Sequence, residues 1–276
     1  MKGIKQLIVA ITVTASLLVA VPTSQATDMV WESNTFDTDT GAWFGYNNTA
    51  NGQNVQWLNS NLAGGTAGEL GGSVTRSTSV SFYARNLDVN IDFNQPMHWR
   101  GTFSANSDLL TTWNMSVYIG YFNLNEALSG SLDNFIGWRS REPSTPDGLF
   151  RARARIAVQS NLSSDYVLPQ SVGIPFDAEW VPNGDGSGTF QGTLGDPGNP
   201  YWSWNQAYGA TSAGPGFDMF GLWWHESNND TTVGFDTYFD NLEYLVSVPE
   251  PSAISLGLIG LAALLMARRR QALRQS

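Results

Sequence analysis

The chain has 276 residues and no cysteine, and it carries 14 Lys and Arg against 24 Asp and Glu, a net charge of −10. Without cysteine no disulfide can hold it, so stability must come from a buried core, which an aromatic content of 12% can supply. The acidic balance argues against phosphate backbones as partners, and with them against nucleic acid.

At the start, Lys2 and Lys5 precede an apolar stretch over 7–21, followed by Ser24-Gln25-Ala26. A charged n-region, a short h-region and a small-x-small site predict a signal peptide over 1–26, cut after Ala26 by signal peptidase. Two lysines fall in this leader and four arginines in the last nine residues, while only Glu250 leaves on the acidic side if the tail is cut at its proline pair. The segment between keeps eight arginines, no lysine and 23 carboxylates, a net charge of −15.

Residues 27–246 show no long helical period. Short alternating runs split by Gly, Asn, Asp and Pro predict strands over 79–83, 87–93, 113–122, 150–158, 188–194, 217–224 and 237–246. The Pro182-Asn183-Gly184-Asp185-Gly186-Ser187-Gly188 stretch predicts a hairpin-type turn. These features together predict one all-β domain, a two-sheet antiparallel sandwich.

Several side chains stand out along this segment. Arg151, Arg153 and Arg155 alternate with Phe150, Ala152, Ala154 and Ile156, so a strand places all three on one face. Arg139 and Arg141 bring the group to five of the eight arginines. The group suits either docking of anionic polysaccharide or neutralisation by the protein's own carboxylates. Trp202 and Trp204 lie in a predicted loop between two glycine-rich stretches. Their indoles offer flat apolar faces to sugar rings, or else pin the loop down as a small satellite cluster. His98 and His225, the only histidines, are far apart in sequence and read as partly buried structural side chains. In the closing run Asp236, Asp240 and Glu243 are the acidic residues. On a regular strand the first two share a face and Glu243 points to the other. No Gly-x-Ser-x-Gly elbow is present.

The end of the chain reads Val248-Pro249-Glu250-Pro251, an uncharged run over 252–267, then Arg268-Arg269-Arg270. At about 1.5 Å per residue, the run makes a helix that just crosses a ~30 Å hydrocarbon core. Its glycines are tolerated in lipid. The arginines stay in the cytoplasm, as do the lysines of the leader, so everything between them lies outside. Pro249 and Pro251 bar a helix just beyond the membrane and leave extended backbone there, open to a processing enzyme. Without the proline pair this is the pattern of an ordinary C-terminal anchor.

Tripeptide, helix and arginines in this order resemble a PEP-CTERM sorting tail over 247–276, with the transmembrane helix at 252–267 and a basic cytoplasmic end at 268–276. The resemblance implies recognition through Pro249, Glu250 and Pro251 by an exosortase and loss of the piece bearing Arg268, Arg269 and Arg270. The protein is then anchored briefly in the inner membrane and released to the cell surface or extracellular matrix. The sorting family accompanies exopolysaccharide producers.

A second resemblance is carried by the opening Asn34-Thr35-Phe36-Asp37 with Gly41-Ala42-Trp43, the glycine-rich run over 64–72, the 217–222 run and the closing Tyr238-Phe239-Asp240-Asn241-Leu242-Glu243-Tyr244. These pieces look like concanavalin-like or carbohydrate-module jelly rolls. In such modules the first and last strands lie side by side and share a structural calcium. By that resemblance Asp37 and Asp240 supply its carboxylates, a hard oxygen set that suits the ion; the residues alone equally allow a polar loop at Asp37 and a solvent-facing Asp240. No other cofactor is implied. Enzymes of the same fold carry a Glu-x-Asp-x-x-Glu strand, which is absent here. The sequence thus points to an exported, surface-sorted, non-catalytic protein of the exopolysaccharide matrix, structural or glycan-binding. The rival readings are a divergent glycan hydrolase and a purely mechanical envelope component.

Overall fold

The structure is a computed structural model that describes residues 27–249 except 40, 107–114, 132, 142–149, 157–159, 162–165, 210–215 and 227–229. The expected leader with Ala26, and the tail from Glu250 through Pro251, the 252–267 helix and Arg268 to Arg270, lie outside these residues.

Seven strands come first: β1 (Thr27–Asn34), β2 (Phe44–Tyr46), β3 (Gln56–Leu58), β4 (Glu69–Arg76), β5 (Ser81–Ile91), β6 (Met97–Asn106) and β7 (Ser116–Phe122). A short helix α1 (Leu124–Ser129) follows. Then come β8 (Phe135–Arg141), β9 (Phe150–Ile156), β10 (Ser160–Asn161), β11 (Tyr166–Leu168), β12 (Ile174–Pro182), β13 (Gly188–Asp196), β14 (Asn199–Tyr208), β15 (Phe217–Trp224) and β16 (Asp230–Pro249). They pair into two antiparallel sheets. Sheet A runs β14-β13-β12-β6-β16-β4-β3, with β1 also on β16; sheet B runs β10-β9-β8-β7-β15-β5-β2, with β11 on β9. The protein is a two-sheet β-sandwich in which the first and last strands pair. Residues 29–247 form one compact unit.

Period-two patterning builds the core. On β12, Ile174, Phe176, Ala178 and Trp180 are buried, while Pro175, Asp177, Glu179 and Val181 between them are not. Trp99 of sheet A stacks on Trp138 of sheet B at 6.4 Å between ring centroids, and Trp138 meets Phe176 edge-on at 4.5 Å. Trp180, fully buried, satisfies its indole N–H on the Phe93 carbonyl at 3.0 Å. Each such side chain contributes on the order of 1.5–3 kcal/mol through burial, which is how a chain without disulfides is held.

A second, smaller core lies on the outer face of sheet B. Phe82, Tyr118, Phe122, Phe135, Met219 and Trp223 pack with Ala127 of α1. Asn123 caps that helix, its side-chain oxygen accepting from the N–H groups of Asn125 and Glu126, and Gly130 closes it at φ 81°. The Trp223 indole donates to the Ala127 carbonyl at 3.3 Å and fastens the helix to the sheet.

The expected 217–224 strand coincides with β15, and the 237–246 strand lies inside the longer β16. The expected 79–83 and 87–93 strands are one strand, β5. Its irregular pairing with β15, and Asp88 at φ 61°, absorb the break in alternation that separates them in sequence. The 182–188 stretch is the turn of the β12–β13 hairpin, where the Asn183 N–H donates to the Ser187 carbonyl at 2.9 Å and Gly184 sits at φ 88°. The 200–204 segment differs from expectation. It is not a loop but part of edge strand β14, paired with β13 along its length.

Candidate functional site

The outer face of sheet A carries a groove across β14, β13, β12, β6 and β16. Pairing register lines up its side chains in two rows. In one, Asn205, Gln191, Glu179 and His98 follow one another across the strands; in the other, Ser203, Thr193, Asp177, Arg100 and Glu243. Two depressions, of about 450 and 430 Å³, share Asp177, Thr193 and Pro197 and so adjoin. Their lining mixes polar and charged side chains such as Asp177, Gln191 and Arg100 with glycines, prolines and Phe176.

These groups are already connected. Asn205 donates to Gln191 at 3.3 Å, and Gln191 donates to Glu179 at 3.0 Å. Asp177 pairs with His98 at 2.8 Å, and Glu243 with Arg100. At one end Trp31, 44% exposed, sets its ring edge-on to His98 at 4.6 Å and lies 4.9 Å beneath the Arg100 guanidinium. His98 is thus the partly buried, partnered histidine that the sequence suggested. Glu243 is not where a regular strand would put it. A bulge between Asp240 and Glu243, with Asn241 at φ 51°, inserts one residue, so Asp240 stands opposite Thr102 and Glu243 opposite Arg100. Both acids therefore take the outer face. Sequence alternation cannot show a bulge, and this one brings an acid into the groove.

Trp202 and Trp204 sit on edge strand β14 in register with Leu194 and Gly192, so both turn to the inner face of sheet A, away from the groove. They stack on each other at 4.5 Å, and Trp202 stacks on the half-exposed Tyr166 at 6.3 Å. Trp204 is only 5% exposed and meets Phe190 of the core edge-on. Its indole lies where a Cβ on Gly192 would be, 2.4 Å from such an atom, so the absent side chain admits the ring on the inner face of sheet A. The pair is therefore not two parallel surface platforms. Trp202 carries the accessible ring and Trp204 a buried support.

Asp37 and Asp240 come together around the 64–69 loop. Asp37 accepts from the hydroxyls of Thr66 and, at 2.8 Å, Thr35. These bonds hold its carboxyl below the usual carboxylate range. Asp240, 1% exposed, accepts from the backbone N–H of Asn241 at 2.7 Å and from its side-chain amide at 3.1 Å. Burial, with the negative charges of Glu69 and Asp37 adding to it, pushes Asp240 up to about 6. A Cβ on Gly65 would stand 2.5 Å from an Asp240 carboxylate oxygen, so only glycine leaves that oxygen its space. Glu69 is spent on the loop itself, accepting from the N–H groups of Leu62 and Ala63. Among the described residues, no three His, Cys, Asp or Glu side chains gather as metal ligands. The two carboxylates and the Thr66 hydroxyl are hard oxygen donors of the type calcium takes.

Elsewhere, Asp236 accepts from Ser73 at 2.5 Å. Glu226, at the end of β15, accepts from the Ser116 N–H at 2.9 Å, and burial pushes its carboxyl up to about 7 against the pull of Arg76 and Arg139. His225 faces Trp223 at 6.0 Å. The groove residues Glu179, Gln191 and Asn205 do not appear as a motif in sequence. Their only trace is polar residues at alternate positions on either side of the 182–188 turn.

The fold defines a two-sheet antiparallel β-sandwich with a groove on the outer face of one sheet. Residues 247–271 match the family model described as the PEP-CTERM protein-sorting motif. That motif is the exosortase recognition signal and marks an exported chain that is membrane-anchored before sorting to the cell surface. A comparison with curated protein sequences finds no match. In fold, the chain is similar to a protein of unknown function from Shewanella oneidensis MR-1, with 12% identity, 85% of this chain and 93% of that one covered, and a TM-score of 0.50. Two further solved structures are the cellulose induced protein Cip1 (13% identity, 77% and 96% covered, TM-score 0.47) and an endo-β-1,4-glucuronan lyase from the fungus Trichoderma reesei (8% identity, 81% and 96% covered, TM-score 0.47).

Proposed function

We propose that this exported, surface-sorted protein is a non-catalytic, glycan-binding component of the exopolysaccharide matrix, and that the groove on sheet A holds the glycan. The observation that carries the reading is the row Asn205–Gln191–Glu179, three amide and carboxylate groups in register across neighbouring strands. The two amides both donate to and accept from sugar hydroxyls, and the carboxylate accepts from them. Trp202, half-buried beside Tyr166 at the edge of the sandwich, offers an apolar face to a sugar ring apart from the groove. Asp37 and Asp240 hold a structural calcium that ties β16 to the 64–69 loop. The folded segment is residues 27–246, between a leader cut after Ala26 and a tail cut at Pro249-Glu250-Pro251.

A second reading has one observation in its favour. Asp177 and Glu179 lie two residues apart on one face of β12, which sets them about 6.7 Å apart along the strand. Carboxylate pairs at such separations hydrolyse glycosidic bonds. Here Asp177 is paired with His98 and Glu179 with Gln191, which supports the non-catalytic reading. Binding to a panel of neutral glycans tests both. Loss of binding in Gln191→Ala and Asn205→Ala, with no new chain ends released by the unaltered protein, is the expected outcome. Released ends that vanish in Glu179→Gln would establish the enzyme instead.

A further inference from the structure

The outer face of sheet B, beside the patch under α1, concentrates positive charge as nothing else among the described residues does. Arg139 and Arg141 alternate on β8, and Arg151, Arg153 and Arg155 on β9; register sets Arg139 opposite Arg153 and Arg141 opposite Arg151. The intervening Ala152, Ala154 and Ile156 are buried in the main core, so the β9 arginines turn away from it. Five of the eight arginines between leader and tail thus stand on two neighbouring strands of a segment with a net charge of −15. Like charges directly opposite one another destabilise a sheet.

Arg155 is the deepest of the group, at 6% exposure. Gly137 stands opposite it, which leaves room for its stem to reach toward β7. There it donates to the Tyr118 hydroxyl at 3.0 Å, with its guanidinium 5.6 Å from that ring. Burial, and the neighbouring charges of Arg139 and Arg153, bring Arg155 below the ordinary guanidinium value. Tyr118 in turn packs edge-on against Phe135 and Trp223 of the second core. The position of Arg155 is therefore fixed from beneath. Arg139, Arg151 and Arg153 are half-buried, and each of the four also makes a contact within the protein. A guanidinium has five donors and sustains more than one partner.

We propose that this face docks a carboxylate-bearing polysaccharide, a uronate polymer lying across β8 and β9. Guanidinium forks repeat about every 6.7 Å along a strand and about 4.8 Å between strands. A polymer with a charge at regular intervals engages several such forks at once, whereas a single small anion engages one or two. The planar fork matches a planar carboxylate with two parallel hydrogen bonds. The remaining surface, strongly acidic, repels the same polymer and confines it to this face. The site lies on the opposite sheet from the groove and does not depend on it.

The test uses the processed, secreted protein in affinity electrophoresis against polygalacturonate, dextran sulfate and a neutral β-glucan, at low and high salt. Polygalacturonate should retard the protein, and raised salt should weaken the retardation. The Arg139→Gln/Arg153→Gln double variant should lose about tenfold or more in affinity for it. Cooperative thermal unfolding of this variant checks that the loss is read on folded protein. Gln191→Ala, in the groove, should leave polygalacturonate binding unchanged even if it abolishes binding of the neutral glucan. Arg151→Gln alone, expected to weaken binding severalfold, decides the matter should the double variant fail to fold. Unchanged retardation in the arginine variants, no retardation by polygalacturonate, or retardation by dextran sulfate alone each overturns the proposal.

Discussion

Replacing Asp240 by asparagine gives opposite effects with and without calcium, and the structure sets the size of the first. Asp240 is buried, its charge is opposed by Glu69 and Asp37, and its pKa rises from 3.8 to about 6. An acid whose folded pKa is raised stabilises the fold least when charged. The penalty is absent below pH 3.8, grows between there and pH 6, and is fully present at pH 7. A rise of that size corresponds to at most about 3 kcal/mol, and about 1–3 kcal/mol is the expected range after local relaxation. Asparagine keeps an oxygen for the Asn241 N–H and removes the charge. In chelator at pH 7, Asp240→Asn should therefore melt higher than the unaltered protein, by roughly 2–12 °C for a domain of this size. In millimolar calcium the order should reverse, because a native-state ligand stabilises by mass action and the variant has lost a charged donor. Thermal unfolding of both proteins in the two buffers reads all four values. A variant that melts lower in chelator refutes the burial argument. Identical curves with and without calcium for the unaltered protein remove Asp37 and Asp240 as a calcium site.

Glu226, raised to about 7 by burial, should make the protein lose stability as pH climbs from 4.5 to 7, by up to about 3 kcal/mol; urea unfolding of Glu226→Gln across that range should show the slope flattened. Gly68 sits at φ 118°, and a Cβ there would come within 2.1 Å of the Phe36 carbonyl oxygen. Gly68→Ala should therefore cost on the order of 1–3 kcal/mol, and a melting temperature within 1 °C or so of the unaltered protein would contradict it. Trp99→Ala should cost about 3–5 kcal/mol in chemical denaturation by opening a cavity against Trp138 and Phe190. Changing Pro249 and Pro251 to alanine should leave full-length protein in the membrane fraction. Mass spectrometry that finds Arg268 to Arg270 in the unaltered mature form would disprove cutting at the proline pair.

The sandwich was legible because its strongest strands alternate cleanly. The 217–224 run and the glycine-bearing 182–188 turn announce themselves through period and turn chemistry. The strands β6 and β12, two of the five that form the groove, were harder to read. On β6 the Arg100-Gly101-Thr102 stretch interrupts the apolar rhythm, and β12 opens on Ile174-Pro175, where proline reads as a break. The candidate site was legible only in part. The alternating arginines are a local period-two pattern and share one side of β9, whereas Asp37 and Asp240 were matched only through the resemblance and adjoin across the 64–69 loop. The groove is assembled from residues 98 to 243 by pairing register, which no local window contains. The place of Trp204 escaped for a related reason: only Gly192, across the β13–β14 hairpin, shows that its indole turns inward.

The most direct test of the account is a glycan array probed with the mature secreted protein, followed by incubation of every bound glycan with the same protein and chromatography of the products. The account predicts binding that is lost in Asn205→Ala and Gln191→Ala, with every bound glycan recovered at its original length. Shortened glycans would contradict the non-catalytic reading, and silence across a broad panel of neutral and acidic glycans would contradict glycan binding itself.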